Sequence, residues 1–82
     1  MNLFKGIIDE KINRILALFI KNPEEYYHIN KVSIDSKVSL ATTFRIINLL
    51  LNQDIIEYKQ ISKFKIYRLA DNQKTTQLKR LL

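Results

Sequence analysis

Apolar residues recur at helical spacing in two long stretches of the chain. From Leu3 to Lys21, the residues Phe4, Ile8, Ile12, Ile15, Leu16 and Phe19 share one face, opposite Glu10, Asn13, Arg14 and Ala17. A first helix is predicted there, with that stripe as core. Ile7, Leu18 and Ile20 flank the stripe and widen it beyond what one small core requires, which marks a second contact surface. Asn22-Pro23 ends the helix, because proline disfavours the helical conformation of the residue before it. The second stretch begins at Ser39, whose side-chain oxygen can accept a free backbone N–H of a first helical turn. In that helix Thr43, Ile46, Ile47 and Leu50 fall within one narrow arc, with Ala41, Arg45 and Asn48 opposite and Phe44 at the margin. One face is core; the other is free to read something.

Shorter patterns fill the remainder. Tyr26, Tyr27 and Ile29 follow a polar loop and predict a short extended segment that pairs with a later hairpin. Asn30 is placed to cap a brief helix from Lys31 to about Ser36 with Val32 inward, and Lys37-Val38 makes a turn in which Val38 is buried. Ile34 is then either tucked under the adjoining helix or exposed for a partner. After a polar break at Asn52, Gln53 and Asp54, residues Ile55 to Ile61 alternate as a strand. Ser62-Lys63 forms a tip, and Phe64 to Leu69 returns with Tyr67 and Leu69 inward. Asp71 or Asn72 caps a last helix through Leu82, whose edge of Leu78, Leu81 and Leu82 is too short to stand alone and must pack on helix one or on another copy. The expectation is one domain over residues 1–82 of α+β class, mostly helical: a three-helix core, a hairpin over 55–69 and an additional helix over 72–82.

Charge sharpens this picture. The chain of 82 residues carries a net charge of +6. Residues 1–57 hold equal numbers of basic and acidic side chains, whereas 58–82 hold Lys59, Lys63, Lys65, Arg68, Lys74, Lys79 and Arg80 against Asp71 alone. A cation-rich segment on a neutral helical body is the footprint expected for a polyanion, most often nucleic acid; the bland alternative is a solubility surface. Richness in Ile, Lys and Asn can reflect nothing more than an A·T-rich genome. A chain this short buries only about 60 to 65% of its unfolded surface, which leaves little room for a deep catalytic pocket. It has no Cys, and its one histidine, His28, cannot build a metal site alone. No apolar run approaches a membrane span, and Asp9 and Glu10 stand where a signal peptide is purely apolar. A cytoplasmic location is expected, with no cofactor, metal, small-molecule ligand or membrane partner.

Ser39, Thr42, Thr43, Arg45, Ile47, Leu50, Ile55 and Ile56 together resemble the recognition-helix frame of winged helix-turn-helix transcription regulators of the MarR, ArsR and IclR kind. Asp54 stands where that family usually has Gly, and Lys37 where the turn between its two helices usually has Gly. Both departures ask a residue with a Cβ to adopt a left-handed conformation. The resemblance implies a small prokaryotic, archaeal or viral regulator that binds double-stranded DNA as a homodimer, with helix 39–52 in the major groove and the hairpin, or wing, at the adjacent backbone or minor groove. Half-sites would lie about one helical turn apart.

Under that reading Ser39, Leu40, Ala41, Thr42, Phe44, Arg45 and Asn48 are the DNA-facing residues. Arg45 can bond guanine, Asn48 adenine, and Leu40, Ala41 or Phe44 a thymine methyl, while Ser39 and Thr42 suit a phosphate at the helix N-terminus. Each also has a plainer role: capping for Ser39, a phosphate clamp or an ion pair with Asp35 or Asp54 for Arg45, and an edge-of-core or dimer contact for Phe44. Lys59, Lys63, Lys65 and Arg68 suit phosphates or a minor groove, or merely protect an exposed edge. Phe64 is either a groove wedge or a strand-packing residue, and the four tyrosines are expected in core and sheet. Phe4, Ile7, Leu18, Leu78, Leu81 and Leu82 form the expected dimer interface. With no room for an effector domain, such a regulator would respond to abundance or to partners. Two rivals remain: a winged-helix module that binds another polypeptide through Ile34, Phe44 and Leu51, and an RNA or single-strand binder acting through the wing. No catalytic constellation is present, since Glu24-Glu25 point apart and His28 has no paired nucleophile.

Overall fold

The computed structural model describes residues 3–81, with side chains from residue 10 onward. The elements run α1 (Leu3–Lys21), β1 (Tyr27–His28), α2 (Ile29–Ser36), α3 (Leu40–Asn52), β2 (Ile56–Ile61), β3 (Phe64–Leu69) and α4 (Gln73–Leu81). Helices α1, α2 and α3 pack on one another, and an antiparallel sheet of order β1-β3-β2 closes one side. The expected α+β architecture is therefore present, with the hairpin starting at Ile56 rather than Ile55. No helix among the described residues is long and apolar enough to cross a membrane.

The core is assembled from the arcs that the sequence pattern marks. Ile15 and Phe19 from α1 meet Val32 from α2, and Ile46, Ile47 and Leu50 from α3, with Ile56, Tyr67 and Leu69 from the sheet beneath; Leu16 is buried as well. Phe19 is fully buried and meets Tyr27 edge-on at 5.6 Å, which fastens β1 to α1. The Tyr27 hydroxyl donates to Glu25 Oε2 and accepts from Asn22 Nδ2, and burial pushes its pKa up. Leu18 and Ile20 are half-buried against the same core, so part of the extra width of α1 is used internally.

One local expectation is corrected and one alternative is resolved. Helix α2 starts two residues earlier than expected, because His28 rather than Asn30 caps it: His28 Nδ1 accepts the Asn30 N–H at 3.1 Å. Helix α4 is capped by Asn72, whose Oδ1 accepts from Thr75 N at 2.9 Å while Thr75 Oγ1 accepts from Asn72 N. The capping pair buries Thr75 completely. α4 is tied to the α3–β2 corner, where Asn72 Nδ2 donates to Asp54 O and Lys74 Nζ to Gln53 O, both at 2.8 Å.

Lys37 (φ 58°) and Asp54 (φ 59°) both occupy the left-handed region that their sequence positions demanded, and Ser62 (φ 55°) joins them at the wing tip. A side chain with a Cβ pays about 1 to 2 kcal/mol there. Lys37→Gly is therefore expected to stabilise the fold by about 0.5 to 1 kcal/mol, net of the entropy glycine loses on folding, and Lys37→Val to destabilise it. Urea denaturation of the three proteins checks the order.

Candidate nucleic-acid interface

The inward arc of α3 is buried at Thr43, Ile46, Ile47 and Leu50, the same four residues that its spacing selects. Its other side is left bare. Ala41, Arg45 and Asn48 are exposed, Thr42 is half-buried, and Leu40 and Phe44 stand 50% and 56% exposed. Phe44 is thus not a core residue. Arg45 makes no ion pair or side-chain hydrogen bond among the described residues: Asp35 is paired with Lys31 at 3.3 Å, and the Asp54 carboxylate pairs with none of the described cations. An unengaged guanidinium on a bare helix face is available to an external partner.

The angle between α2 and α3 is set at Val38. Its side chain is buried, its N–H donates to Ser33 O at 3.1 Å, and its carbonyl accepts from both Ser33 Oγ (2.6 Å) and Thr43 Oγ1 (3.3 Å). Ser39 then starts α3, accepting from Thr42 N at 3.3 Å and donating to Thr42 Oγ1 at 3.0 Å. Capping is therefore the realised role of Ser39, with Thr42 as its partner. Ile34 resolves to the open alternative at 72% exposed.

The register of the wing sorts its side chains onto two faces, because alternate residues of a strand point opposite ways. One face carries the pairs Ile56–Leu69, Tyr58–Tyr67 and Gln60–Lys65. It is buried at its base through Ile56, Tyr67 and Leu69, burial raising the Tyr67 pKa, and it opens toward the tip, where Lys65 Nζ sits 4.9 Å over the Tyr58 ring. The opposite face carries Glu57–Arg68, Lys59–Ile66 and Ile61–Phe64. Arg68 is not a free cation of this face. Its Nε donates to Glu57 Oε1 at 2.9 Å, its guanidinium lies 4.8 Å over Tyr26, and the hydrogen bond to Glu57 raises its pKa further. Lys59, Lys63 and Lys65 are exposed and form no ion pair among the described residues. Of the tyrosines, Tyr27 and Tyr67 are core, whereas Tyr26 is half-buried and Tyr58 is exposed beneath a cation.

Sequence reasoning missed His28. Besides capping α2, its ring meets Phe64 at 5.7 Å, joining the wing to the helix pair. A histidine between a tyrosine pair and Ile29 carries no capping signature, so nothing in the pattern favoured it over Asn30. Of the residues expected at a dimer interface, Leu78 is half-buried and Leu81 is 80% exposed. The side chains of Phe4 and Ile7, and Leu82 altogether, lie outside the described residues. An open depression of 480 Å³ between the loop after α1, the sheet and α4 is lined by Glu24, Glu57, Arg68, Asp71 and Lys79 with apolar neighbours. Its charges are mixed, and no group of metal-ligating side chains exists among the described residues.

No protein-family model matches the sequence, and no curated protein is similar to it. Solved structures do match. The ferric uptake regulator of Francisella tularensis, determined with iron, superposes with a TM-score of 0.70 at 23% identity, over 77% of this chain and 52% of its own. A MarR family transcriptional regulator of Silicibacter pomeroyi gives 0.68 at 15% identity, over 88% of this chain and 49% of its own. Reduced HlyU of Vibrio cholerae gives 0.68 at 12% identity, over 94% and 84%. The chain thus spans about half the length of the first two. The fold is a winged helix. A similar arrangement occupies 20% of human N-acetylserotonin methyltransferase, at 10% identity and a TM-score of 0.63, so architecture by itself does not assign a function.

The two caps that shape the site carry a stability prediction. Ser39→Ala and His28→Ala should each cost about 0.5 to 2 kcal/mol, whereas His28→Asn should keep the cap of α2 and lose only the Phe64 contact. Denaturant midpoints of the variants check this.

Proposed function

We propose that this chain is a transcription regulator that binds double-stranded DNA sequence-specifically, as a homodimer and without catalytic activity, with α3 in the major groove and the wing on the flanking backbone. One observation carries the reading: α3, with its bare face of Ala41, Arg45 and Asn48, packs on β2 of a hairpin whose lysines form no ion pair among the described residues. DNA recognition needs cations on phosphates for affinity and side chains on base edges for sequence, and this surface offers both. Arg45 is assigned to a guanine, Asn48 to an adenine, and Leu40, Ala41 and Phe44 to thymine methyls; Ser39 and Thr42 approach a phosphate through the start of α3. Lys59, Lys63 and Lys65 take wing phosphates. Arg68, already held by Glu57, serves the wing's shape more than its affinity. The regulators among the solved neighbours support the role. Homodimerisation is assigned to the expected contacts Phe4, Ile7, Leu18, Leu78, Leu81 and Leu82. The exposure of Leu81 supports the last part of that surface, and the packing of Leu18 on its own core weakens its share.

A second reading, a module that binds another polypeptide, draws on the exposure of Ile34 and Phe44. Leu51, its third expected contact, is half-buried against the core, which leaves that surface smaller than the reading needs.

Retention on duplex DNA should fall steeply between about 50 and 200 mM salt, whereas a hydrophobic module hardly responds. Lys63→Ala should lower the slope of log affinity against log salt by about 0.9. Arg45→Ala should relax specificity at one base pair by about 1 to 3 kcal/mol; a loss uniform across sequences assigns Arg45 to a phosphate instead. Duplexes selected from a random pool provide the substrate, and unaltered binding by both variants overturns the site assignment.

A further inference from the structure

The outer face of the wing carries a feature that phosphate binding does not use. Ile61 and Phe64 face each other across the two-residue tip, 51% and 59% exposed, so strand packing, the plainer of the two roles open to Phe64, does not cover it. They are ringed by cations: Lys63 lies in the tip itself and Lys59 two residues before Ile61 on the same face, with no acid between Glu57 and Asp71. Lone exposed apolar residues need no explanation, but here two are paired at the extremity of a cationic hairpin. Phe64 is also braced from behind, its ring against His28, which is itself fixed by capping α2. A braced side chain gives up little rotamer freedom when it inserts into something.

Resting on the DNA-binding reading, we infer that Ile61 and Phe64 form a wedge that enters the minor groove of duplex DNA and partly unstacks one base step, so that the bound duplex is bent. The occupant follows from charge complementarity: an apolar tip ringed by lysines suits an apolar base stack between two rows of phosphates. A neutral membrane or an uncharged protein surface would be served by the apolar pair alone. Apolar wedges of this sort kink DNA by about 20 to 90° toward the major groove. Pyrimidine–purine steps, which unstack most easily, are the preferred site. The wing then contributes to sequence choice through deformability, with no hydrogen bond to a base.

The test uses the full chain and duplexes it selects from a random pool, labelled at both ends for energy transfer and carrying 2-aminopurine at TA and CA/TG steps. Binding should shorten the end-to-end distance and raise 2-aminopurine fluorescence at one step. Phe64→Ser with Ile61→Ser should abolish both signals while the salt slope stays, since every lysine remains; Phe64→Leu should retain part of each. Both positions are exposed, and thermal unfolding of each variant verifies that the fold is intact. Steep salt-dependent binding with an unbent, fully stacked duplex overturns the wedge and leaves the DNA-binding reading standing. Absence of duplex binding overturns both. A change of oligomeric state in the double variant, read by sedimentation, assigns the apolar pair to a second copy and also overturns the wedge.

Discussion

The structure turns on the peptide of Val38. Its side chain fills the angle between α2 and α3, its N–H is bound to α2, and its carbonyl is held by a hydroxyl from each helix, Ser33 behind and Thr43 ahead. A buried carbonyl that lost these donors would carry the desolvation cost of an unpaired polar group, so the two helices are committed to one crossing angle. That commitment lets a helix with only four buried residues present its other side as a fixed surface. The left-handed Lys37 is the backbone cost of the corner, incurred next to the bond network that offsets it.

The same logic of local fixing extends into the sheet. β1 is only two residues long, yet it ties three elements together through consecutive side chains: Tyr27 against Phe19 of α1, and His28 between the start of α2 and Phe64 of β3. The wing is therefore not a loose ribbon attached by its strands alone. It is anchored at its base by Ile56, Tyr67 and Leu69, and braced along its outer face by a residue that belongs to the helix pair.

Much of this was legible in the sequence because periodicity reports burial. The arc of α3, the Val38 corner and the inward Tyr67 and Leu69 of the hairpin all follow from spacing and reappear residue for residue, and from the stripe of α1 Ile15, Leu16 and Phe19 are buried and Ile12 half-buried. What escaped depends on partners distant in sequence. The pairing of Arg68 with Glu57 and Tyr26 requires knowing the register. The anchoring of α4 at Gln53 and Asp54 requires knowing where the chain returns. The cap at His28 escaped for a different reason: an imidazole nitrogen can replace a short polar side chain at that position, but composition statistics favour Asn30. In the candidate site the pattern selected the bare face of α3 correctly. It overcounted the free cations of the wing by including Arg68, and it underrated the exposure of Phe64.

The grip of Asn72 and Lys74 on the carbonyls that close α3 has a mechanical meaning. These two bonds hitch the last helix to the trailing end of α3, apart from the hydrophobic centre. A torque applied to the C-terminal segment, whatever its source, is felt at the end of α3 through the Asn72 and Lys74 side chains.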